Sequence, residues 1–274
     1  MFIYYAAANY AIVNKQEFIS LDAGGLSQAK TERVLELDNF ELPIKYEISV
    51  SRLPRLIRAI FTRINRIQPA ISRALGYLQP IDVGFNSALL KGKYFEVSGY
   101  FQSWRYPEQV KEAFPDHFLV TKTSSDWAES RISAARDLQP ILCHIRRGDF
   151  LDLQNSFGVL SYEYYLNAIN ILRSRGVKGP VWVMTDSPTE ISPKFLEEAD
   201  AELIIEPADT QAAETFAVMQ ACSSFIISNS TFSWWAAFSS NARNVIAPEP
   251  WFKSMEEPTD LIPDNWIRIQ SRWV

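Results

Sequence analysis

Ile141-Leu142-Cys143-His144-Ile145-Arg146-Arg147-Gly148-Asp149 decides the fold of this chain. Five residues suited to a buried strand run into two arginines, a glycine and a carboxylate. The same rhythm continues downstream, where the spacing predicts helices over 162–175 (ended by Gly176), 194–199, 212–222 and 233–239, with strands over 181–184, 203–205, 225–228 and 245–247. Strands alternating with helices imply a parallel sheet covered on both faces, the α/β class. Ligands of such sheets sit at the carboxyl ends of the strands. The three strings that follow strands there are Arg146-Arg147-Gly148-Asp149, Thr185-Asp186-Ser187 and Ser228-Asn229-Ser230-Thr231.

Outward from this region the pattern is less regular. A helix is expected over 2–14, a strand over 18–22 before a turn at Gly24-Gly25, and a strand over 93–99. A polar helix is expected over 122–138. The polar stretch 121–125 is the candidate linker, dividing the chain into domains 1–125 and 126–274, as its 274 residues allow. From Leu53 the apolar residues Leu56, Ile57, Ile60, Phe61, Ile64 and Ile67 recur at helical spacing, with Arg52, Arg55, Arg58, Arg63 and Arg66 on the opposite arc. No carboxylate interrupts the stretch between Glu47 and Asp82. Two readings stand: the apolar arc packs on the core with the arginines in water, or the helix lies on an anionic membrane surface.

Composition is that of a globular protein: 47% hydrophobic, 22% charged, net charge −5. That charge argues against a general nucleic-acid binder. No run approaches the roughly 20 apolar residues of a membrane span, and no basic residue precedes the first apolar stretch as in a signal peptide. A cytoplasmic location is expected. Cys143 and Cys222, with His117 and His144, are too few for a common zinc site; one disulfide stays open.

Adjacent arginines at a strand end suit a diphosphate, because guanidinium forks match phosphate oxygens and stay charged; the plainer reading is a surface ion pair. The Ser228–Thr231 string suits an anion at a helix N-terminus, or a simple cap. Motifs for dinucleotide, P-loop, zincin and nucleophile-elbow chemistry are absent, and so is an Asp-x-Asp pair for a metal-held diphosphate.

Three strings in order, His144-Ile145-Arg146-Arg147-Gly148-Asp149-Phe150, Thr185-Asp186, and Ser228-Asn229-Ser230-Thr231-Phe232-Ser233-Trp234-Trp235-Ala236-Ala237, resemble the bacterial alpha-1,2-fucosyltransferases, whose motif is H-x-R-R-x-D-[YF]. Gly99-Tyr100-Phe101-Gln102-Ser103, Pro248-Glu249-Pro250-Trp251-Phe252 and Leu261-Ile262-Pro263-Asp264-Asn265-Trp266 also resemble the family pattern. The resemblance implies a GT-B fold, two Rossmann-like domains facing across a cleft, with the acceptor on the N-terminal side and GDP-fucose on the C-terminal one. By position, Arg146 would neutralise the diphosphate, supported by His144 and Arg147. Asp186, Asn229, Ser230, Thr231 and Ser233 would complete the donor site. No metal and no cofactor beyond the donor is implied. The family begins with a strand and a G-G-L-G-N-Q loop, whereas this chain starts at Met1 inside the following helix, so an incomplete N-terminal domain is expected. Its Glu-Asp and Ser-Asp-Asp are here Glu214-Thr215 and Thr185-Asp186-Ser187.

The expected activity is inverting transfer of L-fucose from GDP-fucose to the 2-hydroxyl of a galactoside in a bacterial surface glycan. Asp149 is the candidate base for the acceptor hydroxyl, or alternatively an ion-pair partner that orients the arginines. The competing functional readings are an inactive sugar-nucleotide-binding remnant and transfer from another nucleoside-diphosphate sugar. Peripheral contact with an anionic inner membrane is the further expectation.

Overall fold

The computed structural model describes residues 1–22, 37–49, 55–79, 84–123 and 125–274. The turn at Gly24-Gly25 and the positions of Arg52 and Leu53 lie outside them. The chain divides into two compact units, Met1–Val120 with Pro258–Pro263, and Thr121–Glu257 with Asp264–Val274.

The first unit is built around the helix Phe2–Val13. It is apolar on nearly every side and accordingly buried on most of them, at Tyr4, Tyr5, Ala6, Ala8 and Ala11 among others. Its tyrosines need partners for their hydroxyls. Tyr4 donates to the Ile44 carbonyl and accepts from the Ile44 N–H, both at 2.9 Å, and Tyr5 donates to the Phe118 carbonyl. Pairing is parallel, in short pieces: Phe18–Asp22 with Lys45–Ser49, and Tyr77–Leu78 with Glu96–Val97. The strand expected over 93–99 is thus only two residues long. The helix Arg105–Ala113 and the strand Lys45–Ser49 were not anticipated.

The amphipathic helix is present over Arg55–Ile67, but it meets the core-packing expectation only in part: Phe61 and Ile64 are partly buried and Arg63 and Arg66 lie in water, whereas Arg58 turns inward and most of the aliphatic residues turn out. Asn65 is buried and donates to the Gln79 carbonyl at 2.6 Å. Arg58 pairs with Asp22 and Glu96, each at 2.9 Å, and Thr62 meets the Tyr77 hydroxyl at 3.2 Å. Of the aromatic and aliphatic residues, Phe61 stacks on Tyr77, while Leu56, Ile57, Ile60 and Ile67 face water. The neighbouring strands offer carboxylates, a hydroxyl and a carbonyl, and these satisfy the polar side of the helix.

The second unit carries the α/β architecture that the alternation predicts. One sheet of six strands runs in the order Ile267–Gln270, Asn244–Glu249, Ser224–Ile226, Ile141–Ile145, Val181–Thr185, Ala201–Leu203, with every pairing parallel. Ile141–Ile145 lies inside the sheet, buried along its whole length. Its residues Ile141, Cys143 and Ile145 pack with Tyr164, Tyr165, Ala168 and Leu172 of the helix Tyr162–Ser174 and with Phe195 of the helix Pro193–Glu198. His144 points the other way, its ring 6.1 Å from that of Phe232 on the helix Thr231–Ser239. That helix also contacts Ala212–Gln220, which in turn contacts Asp126–Leu138.

Two expectations shift. The strand expected over 203–205 pairs at Ala201–Leu203 with Val181–Val183, leaving Ile205 exposed at the sheet edge. Ile267–Gln270 had no reading as a strand; only Ile267 and Ile269 alternate inward toward the core. Cys143 and Cys222 are both free and buried, which closes the question of a disulfide; burial pushes both thiols up. Among the described residues, no helix is long and apolar enough to cross a membrane.

Candidate functional site

Ser224–Ile226, Ile141–Ile145 and Val181–Thr185 are consecutive parallel neighbours, so the strings that follow them emerge side by side at one sheet edge. Local hydrogen bonds then stitch the strings together. The Arg147 N–H donates to Asp186 Oδ1 at 2.9 Å, and the Gly148 N–H to the Ser187 hydroxyl at 3.1 Å. His144 Nδ1 and the Ser228 hydroxyl are 3.0 Å apart.

Arg146 occupies the middle of this edge. One terminal nitrogen donates to Asp149 Oδ1 at 2.7 Å, and the other lies 3.1 Å from Asp186 Oδ2. Its guanidinium also sits over the Phe150 ring at 5.6 Å. Nε is buried and has no hydrogen-bond partner, an arrangement that leaves donor capacity on a side chain still partly open to solvent. Charge-assisted pairs of this length hold a guanidinium in one place. The space for it depends on Gly148. A Cβ built there would stand 2.2 Å from Asp186 Oδ2, and since Gly148 opens a 3-10 turn, the requirement is for room and not for an unusual backbone angle.

The adjacent Arg147 is placed quite differently. It is buried, donates to the Leu160 carbonyl at 2.7 Å, and lies 5.0 Å over the Tyr162 ring. Two neighbours in sequence therefore split their tasks, one facing the edge and one anchoring the loop beneath it.

His144 is neutral at any ordinary pH. Burial, with the nearby Arg146 charge adding to it, pushes the imidazole down to about 3. It can therefore take part in a hydrogen bond to Ser228 but carries no charge of its own toward an anion.

On the far side of the edge, Ser230 caps the helix Thr231–Ser239, its hydroxyl accepting from the Phe232 N–H at 3.3 Å. Ser233 returns its hydroxyl to the Ser230 carbonyl at 3.2 Å, and Thr231 is exposed in the first turn. The first-turn N–H groups of this helix N-terminus favour an anion at this end of the sheet. Asn229 is buried and donates to the carbonyls of Phe157 and Gly158 at 2.9 and 3.2 Å. Its side chain fixes the loop 151–158. The segment directly after it, Val159–Ser161, is clasped from elsewhere: Leu160 bridges Trp273, the Ser161 N–H donates to the Arg272 carbonyl at 2.6 Å, and the Val274 N–H to the Val159 carbonyl at 2.8 Å.

Of the residues singled out in the sequence, Arg146, Asp149 and Asp186 form one ion-paired cluster, and Ser230 and Thr231 open the adjoining helix. Arg147, Asn229 and Ser233 have their side chains turned to protein partners. The role of Gly148 as clearance for Asp186 and that of Ser228 as partner of His144 escaped the sequence reading, although both lie within the strings that drew attention. Tyr162 under Arg147 had no signal.

The family model for glycosyl transferase family 11 matches residues 86–270. An alpha-1,2-colitosyltransferase of Escherichia coli is 30% identical over 185 residues, 64% of this chain and 62% of that protein. A galactoside alpha-(1,2)-fucosyltransferase 1 of Saimiri boliviensis boliviensis is 24% identical over 195 residues, 65% of this chain and 53% of that protein. The matches thus span less than two thirds of the length of these relatives. Among solved structures, the NodZ alpha-1,6-fucosyltransferase soaked with GDP-fucose covers 94% of both chains at 15% identity, with a TM-score of 0.49.

Proposed function

The chain belongs to glycosyl transferase family 11, and on that premise we propose that it transfers L-fucose from GDP-fucose to the 2-hydroxyl of a galactoside in the cytoplasm, with inversion at the anomeric carbon. The observation that carries this reading is Arg146, fixed between Asp149 and Asp186 at the carboxyl end of an inner strand. A diphosphate leaving group needs such a place. In the reaction the acceptor oxygen forms its bond to the anomeric carbon as the bond from that carbon to the β-phosphate oxygen breaks. The bonding pair leaves with GDP, and the hydroxyl proton passes to a carboxylate, which we assign to Asp149. Arg146 and the helix N-terminus offset the charge developing on GDP; preorganised donors of this kind contribute about 3–4 kcal/mol. His144 and Arg147 hold the strand end and loop that present Arg146, and Thr231, exposed in the first turn of its helix, is assigned to the donor phosphates.

The 30% identical alpha-1,2-colitosyltransferase favours a second reading, in which the same site takes a colitosyl donor. The full chain, given GDP-fucose and a galactoside, should release GDP and yield an alpha-1,2-linked product whose linkage is read by NMR. Transfer from a colitosyl donor but not from GDP-fucose would favour the second reading. GDP binding without transfer from either would match an inactive binder, and absence of GDP binding would overturn the assignment of the site.

A further inference from the structure

We propose that the outer face of the helix Arg55–Ile67 is a docking surface for an anionic lipid membrane. At 3.6 residues per turn, Leu56, Ile60 and Ile67 fall within about 40° of one another around the helix, with Arg63 beside them. All four face solvent; Leu56 is 74% exposed and Ile67 69%. On the next helix, Pro69–Ala74, Ile71 is again about half exposed, as is Leu75 at its end. Scattered exposed apolar residues are ordinary on proteins, but a helix that directs its aliphatic stripe to water and its amide, hydroxyl and one guanidinium inward is not. The inward side is already satisfied by Asp22, Glu96, Gln79 and Tyr77, so a half-turn of the helix would bury the stripe only by breaking those contacts.

Charge selects the occupant. Arg63, Arg66 and Arg73 are exposed along the same two helices, no carboxylate pairs with them among the described residues, and none occurs in sequence from Ile48 to Ile81. A second copy seated symmetrically on this face would set these arginines against their equivalents, which is repulsive. A surface of anionic headgroups over an acyl boundary meets both features: the arginines stay at headgroup level while the aliphatic side chains enter the boundary. The surface lies in the first unit and stands independently of the donor chemistry proposed for the second.

The test is flotation of the full chain with vesicles of phosphatidylglycerol and phosphatidylethanolamine, compared with phosphatidylcholine vesicles. Binding is expected only to the former, falling as salt is raised because screening shortens the reach of the arginines. Joint replacement Arg63→Gln, Arg66→Gln and Arg73→Gln should lower partitioning by about fivefold per charge removed. Leu56→Ser, Ile60→Ser and Ile67→Ser together should abolish it. Both sets alter exposed positions, so retained unfolding transitions and GDP affinity serve as the control for folding. Absence of binding at low salt, equal binding to both vesicle types, or a dimer that the serine set dissolves would each overturn the proposal.

Discussion

Replacing Gly148 by alanine tests the geometry of the site through a single methyl group. The new Cβ would stand 2.2 Å from Asp186 Oδ2, against at least 3.4 Å for ordinary contact. The carboxylate must therefore retreat by about 1 Å, and it is held at both oxygens, by the Arg147 N–H and by Arg146. Losing one hydrogen bond that involves a charged group costs about 1.5–3 kcal/mol. Against this, alanine stiffens the unfolded chain and returns about 0.4–1 kcal/mol where the native backbone suits it, as a 3-10 turn does. The net expectation is destabilisation by about 1–2 kcal/mol, with weaker GDP binding because Arg146 loses one of its two carboxylate supports. Urea unfolding of the second unit's transition and calorimetric GDP titration read the two effects. The decisive comparison is the double-mutant cycle with Asp186→Ala. Once the carboxylate is gone the methyl group has nothing to strike, so Gly148→Ala should become neutral or slightly stabilising in that background. Equal costs in both backgrounds would refute the clash and, with it, the view that Gly148 exists to make room for Asp186.

Other outcomes follow from the same geometry. Arg146→Ala should weaken GDP binding by about 2 kcal/mol, roughly 30-fold, as removal of a charge-assisted contact does; unchanged affinity would remove Arg146 from the donor site. Turnover should survive EDTA, since Arg146 and the Thr231 helix N-terminus are positioned to meet the leaving-group charge; loss in EDTA restored by magnesium or manganese would contradict this. His144 has its folded value lowered to about 3 against an unfolded value of about 6.5. Between these values the unfolded chain binds the extra proton, so its contribution is intact above pH 6.5 and is lost as pH falls toward 3. Stability measured from pH 7 to 4 should fall less steeply in His144→Gln, by up to about 1.4 kcal/mol per pH unit, and identical slopes would place the acid sensitivity elsewhere.

Much of the second unit could be read from sequence because buried parallel strands and covering helices leave strong periods. Ile141–Ile145 and Val181–Thr185 fall within a residue of expectation. The edge strand at Ala201–Leu203 slipped because pairing with Val181–Val183, and not hydrophobicity, sets its register, and Ile204 and Ile205 made a more apolar lure. The candidate site was legible as three strings after strands, yet the division between Arg146 and Arg147 was not. A loop has no period to say which neighbour turns inward, and the partners that capture Arg147, Leu160 and Tyr162, arrive more than a dozen residues later. The helix Arg55–Ile67 shows the complementary limit: periodicity located its two faces but could not tell which one the neighbouring strands would satisfy.

The clasp on Val159–Ser161, directly after the loop 151–158, bears on the order in which the site comes into being. Its fastening points at Arg272, Trp273 and Val274 lie about 110 positions downstream of the residues they secure, and closures of such long range form late because chain entropy must be lost before they return any contact energy. Until then Leu160, whose carbonyl accepts from Arg147, is not held, and the ground beneath Arg146 is unfinished. A nascent or nicked chain can thus own the whole arginine motif, and even its strand, without yet owning a site.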